Sequence, residues 1–453
     1  MTDEAVIECG TVVTMDADSR ILSPGWIHVQ GDRIATVSGQ PIRREGARRI
    51  DAAAMVAFPG MVNAHTHLFQ TLIRGLLDGF DFSEWLRRIY HCGLVLTTED
   101  WLVSARLGAA ESIRSGVTTI VDHQFLHDGT RWSEAIIKGV REVGPRIVLG
   151  RTSMDLGDLA PPQSLEPVEV ALAHVDALLE RHAAAISQGT VRILGGPNTP
   201  GLSASGDLCV AAADHARQRG IGLAMHVAEA AEAVEAVRRR EGVDGVVRWL
   251  DGLGALLPGT IAAHAVHLQP DEIETLARHG VAVAHNPVSN LYLGDGIAPL
   301  ADMLAAGVVV GLGSDGAASN GAQDMFEVMK LSLLLPRVTG RQPHRVTPLD
   351  VLRMATIDGA RAAGLGDLTG SLEAGKRADL ALVRLGREAH SMPVHDTVTE
   401  LVLCGRAADV ATVLVDGQVI LEDGVLTTID EDALLGDARR CGTELAGRLR
   451  TLN

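Results

Sequence analysis

The sequence predicts an α/β protein, a (β/α)8 TIM-like barrel carrying a small β-sandwich domain formed by both termini. Three observations point to it. Eight short apolar segments alternate with helix-like stretches through the middle of the chain. Histidines and acids, rare inside those segments, gather at their C-terminal ends. Both ends of the chain share a different texture, rich in strand formers and hairpin turns.

At the start, "AVIECGTVVTMD", "WIHVQGDRIATV" and "MVAFPG" read as strands, with "QGDR" as a hairpin turn. The barrel strands are expected at 58–67, 117–124, 146–154, 191–197, 221–229, 260–267, 281–286 and 308–315. Between them lie helix signals. Thr98 is placed to cap a helix over 99–115 that buries Leu102, Ala105, Ala109 and Ile113 and stops at Gly116. Pro270 opens another, with Asp271 and Glu272 at its positive end and Gly280 as its stop. "APLADMLAAG" forms the next, between Pro299 and Gly307. The far end returns to β texture in "RADLALVRL" and "VATVLVDGQVILEDGVLT", where "VDGQ" makes a hairpin. The predicted division is 1–57 plus 366–453 for the β-domain and 58–365 for the barrel. A doubly wound sheet is the alternative, but no GxGxxG follows the first strand.

At 453 residues and 46% apolar content the chain supports a large core. A net charge of −17 argues against nucleic-acid and anionic-membrane partners. The five cysteines (Cys9, Cys92, Cys209, Cys404, Cys441) are scattered without a CxxC. With an acidic N-terminus and no long apolar run, they predict a reduced, cytoplasmic chain.

The chemistry lies at the strand ends. His65 and His67, two apart on one strand, present both imidazoles to the same side. His123 ends the second strand, His226 and Glu229 the fifth, and Asp315 the eighth; His264 and His267 lie on the sixth, His285 on the seventh. His65, His67, His226 and Asp315 make a donor set suited to one divalent metal, zinc ahead of iron, with a position left for water. Such an ion lowers the pKa of its water toward ~7. Asp315 is placed to accept that water's proton, Glu229 to carry protons to the leaving group, and His264 to hydrogen-bond the nucleophile. His267 and His285 read as supporting residues.

"PGMVNAHTH", "HVAE", "AAHAVHL", "HNPVSNLYLGDGIAP" and "GLGSDGAASN", in this order, resemble the amidohydrolase superfamily. The similarity is strongest to its metal-dependent aminohydrolases, which include the 8-oxoguanine, methylthioadenosine/S-adenosylhomocysteine and melamine deaminases and the chloro-s-triazine hydrolases. The likeness extends to "GTVVTMD" and "MATIDGARAAGLGDLTGSLEAGKRADLALV". It implies the same four ligands, Glu229 as proton shuttle and His264 as the histidine after strand 6. Binuclear relatives use a carboxylated lysine after strand 4; "GGPNTP" has none, so one metal is expected. Nucleoside-deaminating relatives often carry histidine where this chain has Asn198.

The expected reaction is hydrolytic deamination of an aminated N-heteroaromatic ring of purine, pterin or s-triazine type. Displacement of chloride from a triazine and hydrolysis of a cyclic amide are alternatives; a non-catalytic scaffold leaves Glu229 beside the ligand set without purpose. Gln70, Trp85, His123, Arg151 and Asn198 are the expected substrate contacts, with Trp85 suited to stacking on a flat ring. The resemblance also implies a homo-oligomer.

Overall fold

The computed structural model describes residues 4–342 and 344–451. The chain folds as an α/β protein. Each of the eight expected segments contains a strand: β1 (Met61–Thr66), β2 (Val117–Gln124), β3 (Arg146–Arg151), β4 (Val191–Leu194), β5 (Ala224–Val227), β6 (Ile261–His264), β7 (Ala282–His285) and β8 (Val310–Leu312). They pair in parallel as two four-stranded sheets, β1-β2-β3-β4 and β5-β6-β7-β8. The register keeps the functional ends level: Thr66 lies opposite Asp122, Val227 opposite His264, and His285 opposite Leu312.

Hydrogen bonds also cross between the two sheets. Ala224 N donates to Gly195 O at 2.8 Å, and His226 N to Asn198 O at 2.8 Å. On the other side Asp315 N donates to His65 O at 2.9 Å. Residues from seven strands share one cluster: Val62, Ala64, Val121, Val148, Leu194, Ala224, Ile261 and Ala284. Ala360 and Ala363 join them. Helices and strands together form a second, larger core.

Local sequence explains most boundaries. The helix Pro270–His279 starts at its proline and ends at Gly280, which takes φ +64°. The helix Thr98–Arg114 differs by one residue from expectation: Thr97, not Thr98, is the cap, because Asp100 completes a reciprocal capping box with it. In the hairpin between Val410–Val415 and Gln418–Glu422, Asp416 and Gly417 take φ +49° and +73°, as a tight twisted turn requires.

Both chain ends enter one nine-stranded sheet. Glu4–Val13 pairs with Gly25–Gln30 on one side and Arg48–Pro59 on the other, and Arg48–Pro59 pairs with Leu380–Val383. Ile7, Ile27, Ile34, Ala57, Leu380 and Leu414 belong to its own apolar cluster. Gly60 alone separates this sheet from β1. The last helix, Glu431–Thr451, leaves the sheet and packs on Thr98–Arg114, with Arg440 on Glu99 at 2.6 Å and Arg448 on Asp100 at 2.5 Å. No helix among the described residues is long and apolar enough to cross a membrane.

Arg146, at the start of β3, ties the terminal sheet to the parallel strands. Its guanidinium is 1% exposed and donates to Asp379 at 2.7 and 3.1 Å, to Gly189 O at 2.9 Å, and to Asp416. Removing the arginine strands a fully buried carboxylate. The Arg146→Met variant is therefore expected to lose about 3–5 kcal/mol of stability, read from the midpoint of urea unfolding. An unchanged midpoint would show that the pair is dispensable.

Candidate metal centre

The ends of β1, β5, β6 and β8 bring five buried side chains to one point. The imidazole centroids of His65 and His67 are 4.8 Å apart, those of His65 and His226 5.1 Å, and those of His65 and His264 5.3 Å. Asp315 Oδ1 lies 3.4 Å from His65 Nε2 and 3.3 Å from His67 Nε2. His226 Nε2 lies 3.3 Å from His67 Nε2. Two donors bound about 2.1 Å from one tetrahedral centre sit about 3.4 Å apart, so these spacings fit a shared ion.

The backbone decides which nitrogens face that point. His67 Nδ1–H donates to His123 O, and His226 Nδ1 lies 3.2 Å from Asn198 O. With the proton on Nδ1, each Nε2 presents a lone pair inward. Two lone pairs at 3.3 Å repel each other; a cation between them turns repulsion into binding. His65 Nε2 is likewise buried without a hydrogen-bond partner. Burial drives His65, His67 and His226 toward the neutral form a metal needs, His67 to about 3. The site fits a divalent cation.

Glu229 and His264 flank the same point. Glu229 Oε1 is 3.4 Å from His264 Nε2, and Asp315 Oδ2 is 3.9 Å from it. His264 Nδ1 meets Asn290 Oδ1 at 2.8 Å, which sets the ring's angle. The two acids are pushed apart electrostatically. Burial and the Asp315 charge raise Glu229 well above the usual carboxylate range. Burial acts the same way on Asp315, but the surrounding His65, His67 and His264 imidazoles outweigh it and hold its carboxyl well below that range.

Asp315 is also held mechanically. Gln323 Nε2 donates to its backbone oxygen at 2.9 Å, and Thr66 Oγ1 to the same oxygen at 2.8 Å. Asn63 accepts from Ser314 N at 3.0 Å and donates to Ser314 Oγ at 2.7 Å. Asp122 Oδ1 accepts from Leu68 N at 2.7 Å and so anchors the turn just after His67. No local sequence signal marks Asn63, Thr66 or Gln323 for the site; Asp122 and Asn290 are marked only as polar residues at strand ends. Four of the nine described non-glycine residues with positive φ also cluster here: Ala228 (+48°), His264 (+72°), Ala265 (+53°) and Asp315 (+60°).

The expected substrate contacts divide. His123 lies inside the imidazole cluster, its centroid 4.1 Å from that of His226, and its Nε2 is buried without a partner. Gln70 packs beneath the segment after Asp315, where its Oε1 accepts from Ala318 N at 3.3 Å. Trp85 is 5% exposed and its indole N–H points at Ala318 O, 3.4 Å away. Asn198 serves the centre through its backbone oxygen; its side chain meets Ser203 Oγ at 3.3 Å and Thr152 Oγ1 at 3.4 Å. Arg151 is not brought into the cluster: its guanidinium is buried against Glu166 at 2.8 and 2.9 Å, and also meets Ser153 and His174. Asp295, which sequence reading passed over, stands nearby; burial, then the charges of Glu229 and Asp315, push its carboxyl up to about 9.

Comparison with known proteins agrees with this picture. The profile of the amidohydrolase family matches residues 56–420. The chain is 35% identical to the 5-methylthioadenosine/S-adenosylhomocysteine deaminase of Pelotomaculum thermopropionicum, over 98% of this chain and 99% of that one. It is 34% identical to the 5'-deoxyadenosine deaminase of Methanosarcina mazei, over 99% and 100% of the two chains. Among solved structures it is similar to a zinc-bound adenosine deaminase from Xanthomonas campestris, with a TM-score of 0.90 and 26% identity over 98% of both chains. It is also similar to atrazine chlorohydrolase from Arthrobacter aurescens complexed with zinc, with a TM-score of 0.88 and 28% identity over 97% and 100%. Lone-pair geometry, acid pair and sequence likeness agree, and the chain belongs to the amidohydrolase family.

Proposed function

We propose that the chain is a metal-dependent hydrolase that deaminates an amino-substituted N-heteroaromatic ring and releases ammonia. The observation that carries this reading is the convergence of the His67 and His226 Nε2 atoms, 3.3 Å apart, on the Asp315 carboxylate, with Glu229 and His264 beside them. His65, His67, His226 and Asp315 would hold one divalent cation. Nitrogen-rich donors favour zinc over iron. When bound, the ion supplies Lewis acidity and a nucleophilic water at neutral pH.

The chain's own groups do the proton work. Glu229, the acid that holds its proton, donates it to a ring nitrogen and so makes the neighbouring carbon electrophilic. Asp315, the acid that stays ionised, takes a proton from the attacking water. His264, 3.4 Å from Glu229 and 3.9 Å from Asp315, bounds the attacking oxygen's position on the other side. Once the carbon–oxygen bond has formed, the amine gains the proton held by Asp315 and leaves as ammonia, while the new hydroxyl group gives its proton to Glu229 and becomes the ring carbonyl, so both acids are restored. Gln70, Trp85, His123 and Asn198 border the ring's pocket, and Arg151 supports its wall through Glu166.

Purine, pterin and triazine rings all meet these requirements. The adenosine-type names of the sequence relatives support the first, and the triazine-hydrolase neighbours the last. Chloride displacement is the second reading, favoured by the likeness to atrazine chlorohydrolase. A buried proton donor is more useful to an amine than to chloride, which leaves unprotonated.

We further infer that β1 to β8 close into a barrel. The bonds Ala224–Gly195 and Asp315–His65 across both seams, and the shared cluster, support this. Residues 1–57 and 366–453 are assigned to a β-sandwich domain, whose own apolar cluster supports it, with the last helix docked back on the barrel. A cytoplasmic homo-oligomer with no nucleic-acid partner fits the acidic charge and unpaired cysteines.

Stripping metal with dipicolinate is expected to abolish ammonia release, and added zinc to restore it. Full activity with no metal detectable by atomic emission would refute the metal dependence. The Glu229→Gln variant should lose about 10²–10⁴-fold in kcat while metal analysis finds its ion still bound. Asn290→Ala should lower kcat about 10–100-fold, again with metal retained, because only the His264 ring angle is released. Ammonia and chloride assays run in parallel over aminopurines, pterins and triazines decide the leaving group.

A further inference from the structure

Asp295 has no role in the chemistry above, yet it is built into the same pocket. It is 7% exposed, and its Oδ2 is buried without a hydrogen-bond partner. Such an atom is costly unless something pairs with it. It sits between two glycines in the left-handed region, Gly294 at φ +76° and Gly296 at φ +124°. Its backbone N–H donates to Asn290 O at 2.9 Å, and the Asn290 side chain holds His264. One short segment therefore places both His264 and Asp295. Glu229 and Asp315 are the two charges that weigh most on it after burial itself. Among the described residues no lysine or arginine pairs with any of the three acids; Glu229 and Asp315 face histidines, and Asp315 also accepts from Gly316 N at 2.6 Å and Ser319 Oγ at 3.3 Å.

We propose that Asp295 is a specificity residue that hydrogen-bonds an N–H donor on the edge of the substrate ring facing Glu229. The inference rests on the deaminase reading and sharpens it. Glu229 must meet an unprotonated ring nitrogen. A second carboxyl oxygen left open nearby is satisfied by a donor on the same edge, such as a second amino group. The favoured substrates are then diamino heterocycles.

Two matched pairs test this on the full-length zinc-loaded protein: adenosine against 2-aminoadenosine, and 2-amino-1,3,5-triazine against melamine. The diamino member of at least one pair should show about a tenfold or larger advantage in kcat/KM, carried mainly by KM. Asp295→Ala and Asp295→Ser should erase that advantage while leaving kcat on the monoamino member within about threefold. Asp295→Asn, which keeps an acceptor oxygen, should retain most of it. Wild-type Tm and zinc content in each variant separate this effect from misfolding. An advantage that survives Asp295→Ala and Asp295→Ser, or none in either pair, overturns the role of Asp295 alone. Failure of the wild-type protein to turn over any of the four compounds overturns the deaminase reading, and the role of Asp295 with it.

Discussion

Everything at the centre depends on one electrostatic conflict, the inward lone pairs of His67 and His226 Nε2 held 3.3 Å apart beside an ionised Asp315. No arrangement of neutral imidazoles relieves it, because each Nδ1 is committed to a backbone oxygen. A divalent cation relieves it and gains by it. The price is prepaid in folding: burial favours the neutral imidazoles that can bind, while the same burial pushes Glu229 toward its protonated form.

The parallel strands make this arrangement possible. Parallel pairing with level ends brings side chains distant in sequence to one rim, and the alternation of β1 sends His65 and His67 to the same side. The fold then adds restraint where the rim is weakest. Asp315 follows the shortest of the eight parallel strands, Val310–Leu312, and is tied to β1 by its own N–H and through Thr66 and Gln323. Asn63 and Ser314 repeat the tie one layer below.

The strands and the side chains that converge at their ends were legible because they obey local rules. His65 and His67 share a face by a period of two, and polar residues at strand ends are conspicuous against apolar runs. Glu229, three residues after His226, is local in the same sense. Gln323 was not legible, because its meaning lies in partners 257 and 260 residues away. Arg151 shows the reverse: an arginine at a strand end suggests a substrate contact, and in the structure it pairs with Glu166, fifteen residues on. Asn198 contributes a main-chain oxygen, and side-chain identity carries little information about that. Thr97 and Thr98 are both plausible caps until the reach of Asp100 is known.

Backbone strain gives the last link between fold and chemistry. Ala228, His264, Ala265 and Asp315 each take a conformation that costs of order 1–3 kcal/mol for a residue with a side chain. Ala228 makes the need plain, since its methyl group touches no reacting atom. Its twisted backbone lies between His226 and Glu229, where an ordinary extended strand would send the side chains three residues apart to opposite faces. The turn at Ala228 brings Glu229 round to the side that His226 occupies, and its carbonyl accepts from Val266 N at 3.1 Å and His267 N at 2.9 Å, just beyond the equally twisted His264–Ala265 step. Strain on adjacent strands is thus locked by shared hydrogen bonds. That lock is what lets Glu229, His264 and His226 stand around one point instead of along one strand.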